Sequence, residues 1–179
     1  MNFKIFNEQD KTVFENEIIS MLSESDNDFV PPISARSSTL DKSFNGTPSE
    51  SGMLSYYREM KRQSIIGAFE DGELLGFVSY RENFISEEID VSQLPNIYIS
   101  TLVLAKKARG KGITKKLYSY LFSELYPERN IFTRTWSTNF AHINILSSFT
   151  FTEILRKEND RGAGIDTLYF KKQRENNLH

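Results

Sequence analysis

Cysteine is missing from all 179 residues, and histidine occurs only at His142 and His179. The first absence excludes disulfides, a thiol nucleophile and every thiolate metal site, and it fits a reducing, cytoplasmic setting. With two imidazoles a histidine-rich metal centre is not expected, so no metal enters the reading. Long apolar runs are missing too. Nothing approaches the ~18 apolar residues of a membrane-spanning helix, and MNFKIFNEQDKTVF has no apolar run behind a basic start. A soluble, unexported chain with no membrane partner is expected. Charge of one sign is also scarce: 22 basic residues against 24 acidic ones leave −2, which removes any global electrostatic case for nucleic acid. Any anion site must be local.

What the chain does have is an interior. Hydrophobic residues make up 39%, with 14 phenylalanines and 8 tyrosines. That is enough for one domain over residues 1–179 with a packed core. NFKIF alternates and reads as a strand. DKTVFENEIISMLSES puts Phe14, Ile18 and Leu22 on one helical face, with Asp10 as its N-cap. The stretch DNDFVPPISARSSTLDKSFNGTPSESG is a long loop, although Phe29 and Val30 are too apolar for a plain linker. MLSYYREMKRQ closes it as a second helix.

SIIGAFEDGELLGFVSYRENFI is a hairpin around EDGE, and a polar connection then runs to Pro95. NIYISTLVLA is the next strand. A helix from near Gly112 repeats Ile113, Leu117, Leu121 and Leu125 every four residues. NIFTRTWSTN is a strand, AHINILSSF a short helix, and TEILRKE with IDTLYFKK a closing hairpin. The order β, α, α, β, β, β, α, β, α, β, β contains a central βαβ unit and predicts an α/β (α+β) sheet.

AKKARGKGIT, Ala105 to Thr114, sets two glycines among three lysines and an arginine, between a strand and a helix. A Walker P-loop would need glycine at Ala105 and a hydroxyl at Gly112, and the dinucleotide fingerprint would need glycine at Lys115. Both fail. What remains is a turn whose N–H groups at Arg109, Gly110, Lys111, Gly112 and Ile113 can meet one oxyanion at a helix N-terminus. Gly110 and Gly112 carry no Cβ to block close approach, and Lys111, Lys115 and Lys116 add charge at the rim. These residues alone leave open a solvated glycine turn that holds nothing.

The segment LVLAKKARGKGITKKLYSYLFSEL resembles the GCN5-related N-acetyltransferases, whose signature is (Arg/Gln)-x-x-Gly-x-(Gly/Ala) between the fourth strand and the third long helix. STNFAHINILSSFTFTEIL follows the same family's later order, with Asn139 at the asparagine position and Phe151 at the phenylalanine of a late Gly-Phe pair. The likeness runs from about residue 65 to 172 and is looser before that. It implies a mixed, mostly antiparallel central sheet of about seven strands flanked by helices. The two central strands, NIYISTLVLA and NIFTRTWSTN, would be parallel and splay apart. It also implies acetyl-coenzyme A as cosubstrate, with its pyrophosphate on the turn amides and its pantetheine arm along Leu102, Val103 and Leu104. The implied cofactor set is Leu102, Val103, Leu104, Lys107, Arg109, Gly110, Lys111, Gly112, Ile113, Thr114 and Asn139.

Three positions depart from the family. Lys107 stands where the motif has Arg or Gln; it keeps a cation but not a planar two-point contact. Thr150 replaces the late glycine, which suggests a different helix ending without positive φ. Leu146 occupies the place of the tyrosine that protonates the departing thiolate in many members, and reads as core. A coenzyme A thiol with a pKa of roughly 8.5 leaves acceptably without an acid; Ser147 or a water is the substitute. An ammonium acceptor, pKa ~10.4, must lose a proton first. The strand NIYISTLVLA has no carboxylate, so Glu82 is the first candidate base, set against a plain solvated hairpin charge.

Around these, Tyr98 is assigned to the core, His142 to the solvent-facing start of the short helix, and Trp136 to packing beside Arg134. Phe29 or Arg36 could line an acceptor pocket, or simply cover the sheet. The resemblance implies an N-acetyltransferase in which an amine attacks the thioester directly and a backbone N–H near Leu104 stabilises the oxyanion. The alternatives are a coenzyme A-binding regulatory module without turnover, and a donor with a longer acyl chain. Acceptor identity and oligomeric state, a homodimer included, stay open.

Overall fold

Asn7 rather than Asp10 opens the first helix. In the computed structural model, which describes residues 1–40, 44 and 46–174, Asn7 and Asp10 form a reciprocal capping box. The Asp10 N–H donates to Asn7 Oδ1 at 2.8 Å and the Asn7 N–H to Asp10 Oδ2 at 3.1 Å. Asp41, Lys42, Ser43 and Asn45 of the long loop, and residues 175–179 with His179, lie outside the described residues. The predicted single helix is also broken at Phe14 (φ −95°, ψ 13°) into α1, Glu8–Val13, and α2, Glu15–Glu24. The Phe14 ring stacks on Phe6 at 5.4 Å and meets Phe69 edge-on at 5.2 Å, so aromatic packing outweighs helix continuity there.

Seven strands form one mixed sheet, as expected, and their order is β1-β2-β3-β4-β5-β7-β6. They are β1 Asn2–Ile5, β2 Ser64–Glu70, β3 Glu73–Glu82, β4 Asn96–Leu104, β5 Asn130–Trp136, β6 Thr152–Lys157 and β7 Thr167–Lys172. The remaining helices are α3 Glu50–Lys61, α4 Ile113–Ser119 and α5 Phe140–Ser148. The chain divides into two compact units, Met1–Tyr80 with Ser100–Tyr118, and Arg81–Ile99 with the described residues from Ser119 onward. Among the described residues no helix is long and apolar enough to cross a membrane.

The first unit packs α1, α2 and α3 on β1, β2 and β3. Ile18, Leu22, Tyr56, Met60, Ile65 and Phe77 are fully buried there. The EDGE turn has positive φ at both Asp71 (50°) and Gly72 (83°), the pairing that closes a two-residue hairpin with the twist of its strands. Beneath this layer Tyr56 and Thr101 share a hydrogen bond of 2.7 Å, and Gln63 bridges Thr39 to Ser100.

In the second unit β4 and β5 run parallel from Asn96↔Asn130 to Ile99↔Thr133, while β5–β7 and β7–β6 are antiparallel. Ile131, Leu146, Phe151, Leu168 and Phe170 are its core. The four-residue apolar repeat has a structural counterpart. After α4 the helix widens into a π-turn, Tyr120–Leu125, closed by the Tyr126 N–H on Leu121 O at 3.1 Å. A strict repeat of four drifts across a 3.6-residue helix, and the wider turn brings Leu121 back onto the buried row.

Thr150 overturns the expected helix ending. Its φ is +62°, and the Thr150 N–H donates to Ser147 O at 3.0 Å while the Phe151 N–H donates to Leu146 O at 3.1 Å. These two bonds are the Schellman ending, made without glycine.

Candidate functional site

β4 leads directly into the basic turn. The Ala105 N–H donates to Leu75 O at 2.9 Å, so β4 pairs with β3 on that side. Alternation along an antiparallel strand then turns the backbone groups of Leu102 and Leu104 to the opposite edge and those of Val103 toward β3. A Cβ on Gly76 would lie 2.3 Å from Leu104 Cδ2 and 2.7 Å from Val103 O, so glycine lets the end of β4 press against β3.

After the short 3₁₀ turn Lys106–Ala108, Arg109 is extended. Gly110 then takes φ +75°, Gly112 takes φ +72°, and α4 starts at Ile113. Glycines of left-handed φ interleaved with ordinary residues turn successive N–H groups to one side, the arrangement of an anion-binding nest. A Cβ at either glycine would meet nothing within 4 Å, so conformation, not crowding, calls for glycine here.

The cations of the turn differ in what they touch. Among the described residues no carboxylate pairs with Lys106, Lys111, Lys115 or Lys116, and all four are exposed. Lys107, at the motif's first position, is ion-paired with Glu73. Arg109 reaches back to Asp28 Oδ2 at 2.8 Å and donates to Ser25 Oγ at 2.9 Å, so its side chain holds the end of α2, while its N–H closes the 3₁₀ turn on Lys106 O at 3.3 Å. Ile113 is core and Thr114 is half-buried. Arg36, one candidate for an acceptor pocket, donates instead to Pro31 O at 2.8 Å and Val30 O at 3.2 Å and lies over Phe29. It braces its own loop.

In the second unit Asn139 caps α5. Its Oδ1 accepts the His142 N–H at 3.3 Å, and its Nδ2 donates to Thr135 Oγ1 at 3.1 Å. Leu146 is fully buried and Ser147, the next residue on α5, is exposed. His142 is half-buried, and loss of surrounding water lowers its imidazole to about 4, so it is neutral near pH 7. Glu82 is engaged on both oxygens: the Tyr126 hydroxyl donates to Oε1 at 2.9 Å and Arg129 Nη1 lies 3.0 Å from Oε2. Tyr98 is core, packed on Phe84 at 4.6 Å. Burial pushes its hydroxyl up to about 12 against the opposing pull of Arg134 and Arg161.

One feature escaped the sequence reading. On the face of the sheet that carries Phe132, Arg134 and Trp136, three cations lie over three rings. Arg161 sits 5.6 Å from Trp136, Lys157 5.5 Å from Tyr169, and Lys171 5.8 Å from Phe132. The signal was the period-two alternation of Phe132, Arg134 and Trp136 on β5 with Thr167, Tyr169 and Lys171 on β7, which the register brings opposite one another.

A mixed seven-stranded sheet with a glycine-rich basic turn at the carboxyl end of its parallel strand defines an acyltransferase-like architecture. The family model described as Acetyltransferase (GNAT) family matches residues 34–151, about two thirds of the chain, and the chain belongs to that family. Comparison with curated proteins gave no match.

Among solved structures the chain is similar to a ribosomal-protein-alanine N-acetyltransferase from Brucella melitensis, at 17% identity and TM-score 0.65 over 97% of this chain and 99% of that one. It is also similar to an N-acetyltransferase from Staphylococcus aureus Mu50, at 16% and 0.65 over 96% and 97%. A third is an acetyltransferase candidate from Salmonella typhimurium, solved with its cofactor acetyl-CoA, at 14% and 0.64 over 100% and 96%. At these identities the likeness is one of fold.

Proposed function

We propose that the chain, acting as one domain over residues 1–179, transfers an acetyl group from acetyl-coenzyme A to an amine by direct attack. The observation that carries this reading is the turn: two glycines of left-handed φ beside Lys106, Lys111, Lys115 and Lys116, which meet no carboxylate among the described residues. A pyrophosphate fits that chemistry, being a compact dianion that needs several N–H donors and nearby positive charge. The N–H groups from Gly110 to Ile113 would hold it, since that of Arg109 already donates to Lys106 O at 3.3 Å, with Lys111, Lys115 and Lys116 at the rim. Leu102 and Leu104 would receive the pantetheine arm on the edge away from β3.

The donor supplies an activated thioester. The chain's own part is to position it and to offer the Leu104 N–H to charge developing on the carbonyl oxygen. Ser147 is the hydroxyl available where Leu146 is core. Asn139 acts by fixing the start of α5. We assign Glu82 to holding Tyr126 and Arg129, because both of its carboxylate oxygens are already engaged by those two side chains. The Brucella neighbour, a ribosomal-protein-alanine N-acetyltransferase, and the Staphylococcus neighbour, an N-acetyltransferase, support an amine as acceptor.

Calorimetric titration with acetyl-coenzyme A, on the native chain and on Gly112→Asp, tests the reading. Aspartate tolerates left-handed φ better than most residues, and its side chain has open space, so the variant folds. We expect it to bind at least 100-fold more weakly. No binding by the folded native chain would remove the reading. Binding without thiol release from any amine would leave a coenzyme A-binding regulatory module.

A further inference from the structure

We propose that Glu73 sets how tightly the donor is held and how fast its product leaves, by competing with the pyrophosphate for Lys107. The proposal rests on the acetyltransferase reading above and adds to it a residue outside the turn itself.

The argument starts from a difference among the lysines of the turn. Lys106, Lys111, Lys115 and Lys116 meet no carboxylate among the described residues, whereas Lys107, in the 3₁₀ turn Lys106–Ala108, is ion-paired with Glu73 at the start of β3. Both side chains of that pair are more than half exposed, at 60% and 56%. An exposed pair is held by about 1 kcal/mol or less, so it opens readily when another anion offers more. A diphosphate brings two charges where a carboxylate brings one, and at equal distance it attracts the lysine more strongly.

The pair is not what holds the turn in place. Glu73 is carried to the turn by the backbone: the Ala105 N–H donates to Leu75 O at 2.9 Å, and Gly76 lets Leu104 and Val103 press against β3. Beyond Lys107, Ala108 and Ile113 are each 1% exposed, and the Arg109 side chain is held by Asp28 and Ser25. All of these residues lie within the first unit. With the turn anchored at 105, 108, 109 and 113, the effect left to the Lys107–Glu73 pair is one of charge. The hairpin also gives it a restoring force. Glu73 stands directly opposite Glu70 across the EDGE turn, and like charges facing one another are unfavourable. Lys107 offsets that repulsion, which returns when the lysine turns to a phosphate. The pyrophosphate is common to acetyl-coenzyme A and free coenzyme A, so Glu73 weakens both alike. Uniform weakening of this kind raises turnover where product release is the slow step.

The test is calorimetry at low salt, with stopped-flow displacement of coenzyme A, on the native chain, Glu73→Gln, Lys107→Gln and the double variant. Acetyl-coenzyme A and coenzyme A are the probes. We expect Glu73→Gln to bind both about fivefold more tightly, the scale of one exposed ion pair, and to release coenzyme A more slowly by a similar factor. Its melting temperature should stay within about 2 °C of the native value, because the site is exposed. In the Lys107→Gln background the same substitution should change affinity by less than about 1.5-fold, since the two residues act as one unit. Weaker binding by Glu73→Gln would mean that the pair pins the turn, and unchanged binding that it is surface charge without effect. An undiminished gain in the Lys107→Gln background would mean that Glu73 acts through its field and not through Lys107. Each of these overturns the proposal while leaving acetyl transfer intact. Failure of the folded native chain to bind acetyl-coenzyme A would instead remove the transferase reading beneath it.

Discussion

The basic turn and the acidic side chains of the second unit handle charge in opposite ways. From Lys106 to Lys116 the chain gathers cations, of which Lys106, Lys111, Lys115 and Lys116 meet no carboxylate among the described residues. In the second unit Glu82 is held by Tyr126 and Arg129, Glu88 by Lys157 and Ser86, and Asp166 by Arg156. Burial would raise Glu88, but the hydrogen bonds from Lys157 and Ser86 outweigh it and hold the carboxyl at about 2. Charge left unneutralised on a surface is available to a ligand. Charge already paired is available only to the fold, because releasing it costs the pair.

The sharpest way to break that contrast is to reverse the unpaired cations. Lys111→Glu, Lys115→Glu and Lys116→Glu together turn three positive charges, none paired with a carboxylate among the described residues, into three negative ones, so the melting temperature should stay within a few degrees. Donor binding should weaken about 100-fold at low salt, from roughly 1 kcal/mol per charge lost near the phosphates. The difference should shrink at ~1 M salt, where the Debye length is about 3 Å. Calorimetry at two ionic strengths reads both effects. A change below threefold at low salt would mean that these lysines are solvated surface.

A smaller effect is expected at Glu82. If its carboxylate serves Tyr126 and Arg129, Glu82→Gln keeps an acceptor for the tyrosine and loses only a half-exposed ion pair, worth about 1 kcal/mol or less. Turnover should fall less than threefold, with the pH profile of kcat/KM unmoved. A 100-fold loss in kcat with an altered acidic limb would restore Glu82 as the base and undo the contrast at its centre.

How much of this could be read beforehand follows from the length scale of each signal. The turn, its two glycines and the strand and helix on either side are a contiguous pattern, and so they were legible. The seven strands followed from alternation and turn residues, EDGE above all. The break at Phe14 was not, because its cause is a cluster with Phe6 and Phe69 that is far apart in the chain. Nor was the fate of Glu82, whose partners Tyr126 and Arg129 lie more than 40 residues away. Arg109 looked like a ligand for phosphate from its place in the motif, and its side chain proves to serve Asp28 and Ser25. Sequence spacing reports what a residue's neighbours in the chain are. Pairing across the fold decides which charges stay in reserve.

The same division between local and distant causes governs left-handed backbone. Gly110 and Gly112 adopt φ of +75° and +72° as residues without a steric penalty, whereas Thr150 adopts +62° with a β-branched side chain. Two hydrogen bonds, from the Thr150 and Phe151 N–H groups, and the burial of Phe151 at 6% exposure hold it there. Thr150 Oγ1 adds a local bond of 2.6 Å to Phe149 O, which returns part of the cost. Left-handed φ costs a non-glycine residue ~1 kcal/mol, and glycine loses some of that advantage through the entropy of its unfolded chain. Thr150→Gly should therefore stabilise the fold by about 0.5 kcal/mol, read as a small rise in denaturation midpoint with unchanged m-value. Donor binding should not move, since Gly110 and Gly112 alone belong to the turn. A destabilised variant would mean that the Thr150 hydroxyl and methyl, not the backbone bonds, terminate α5.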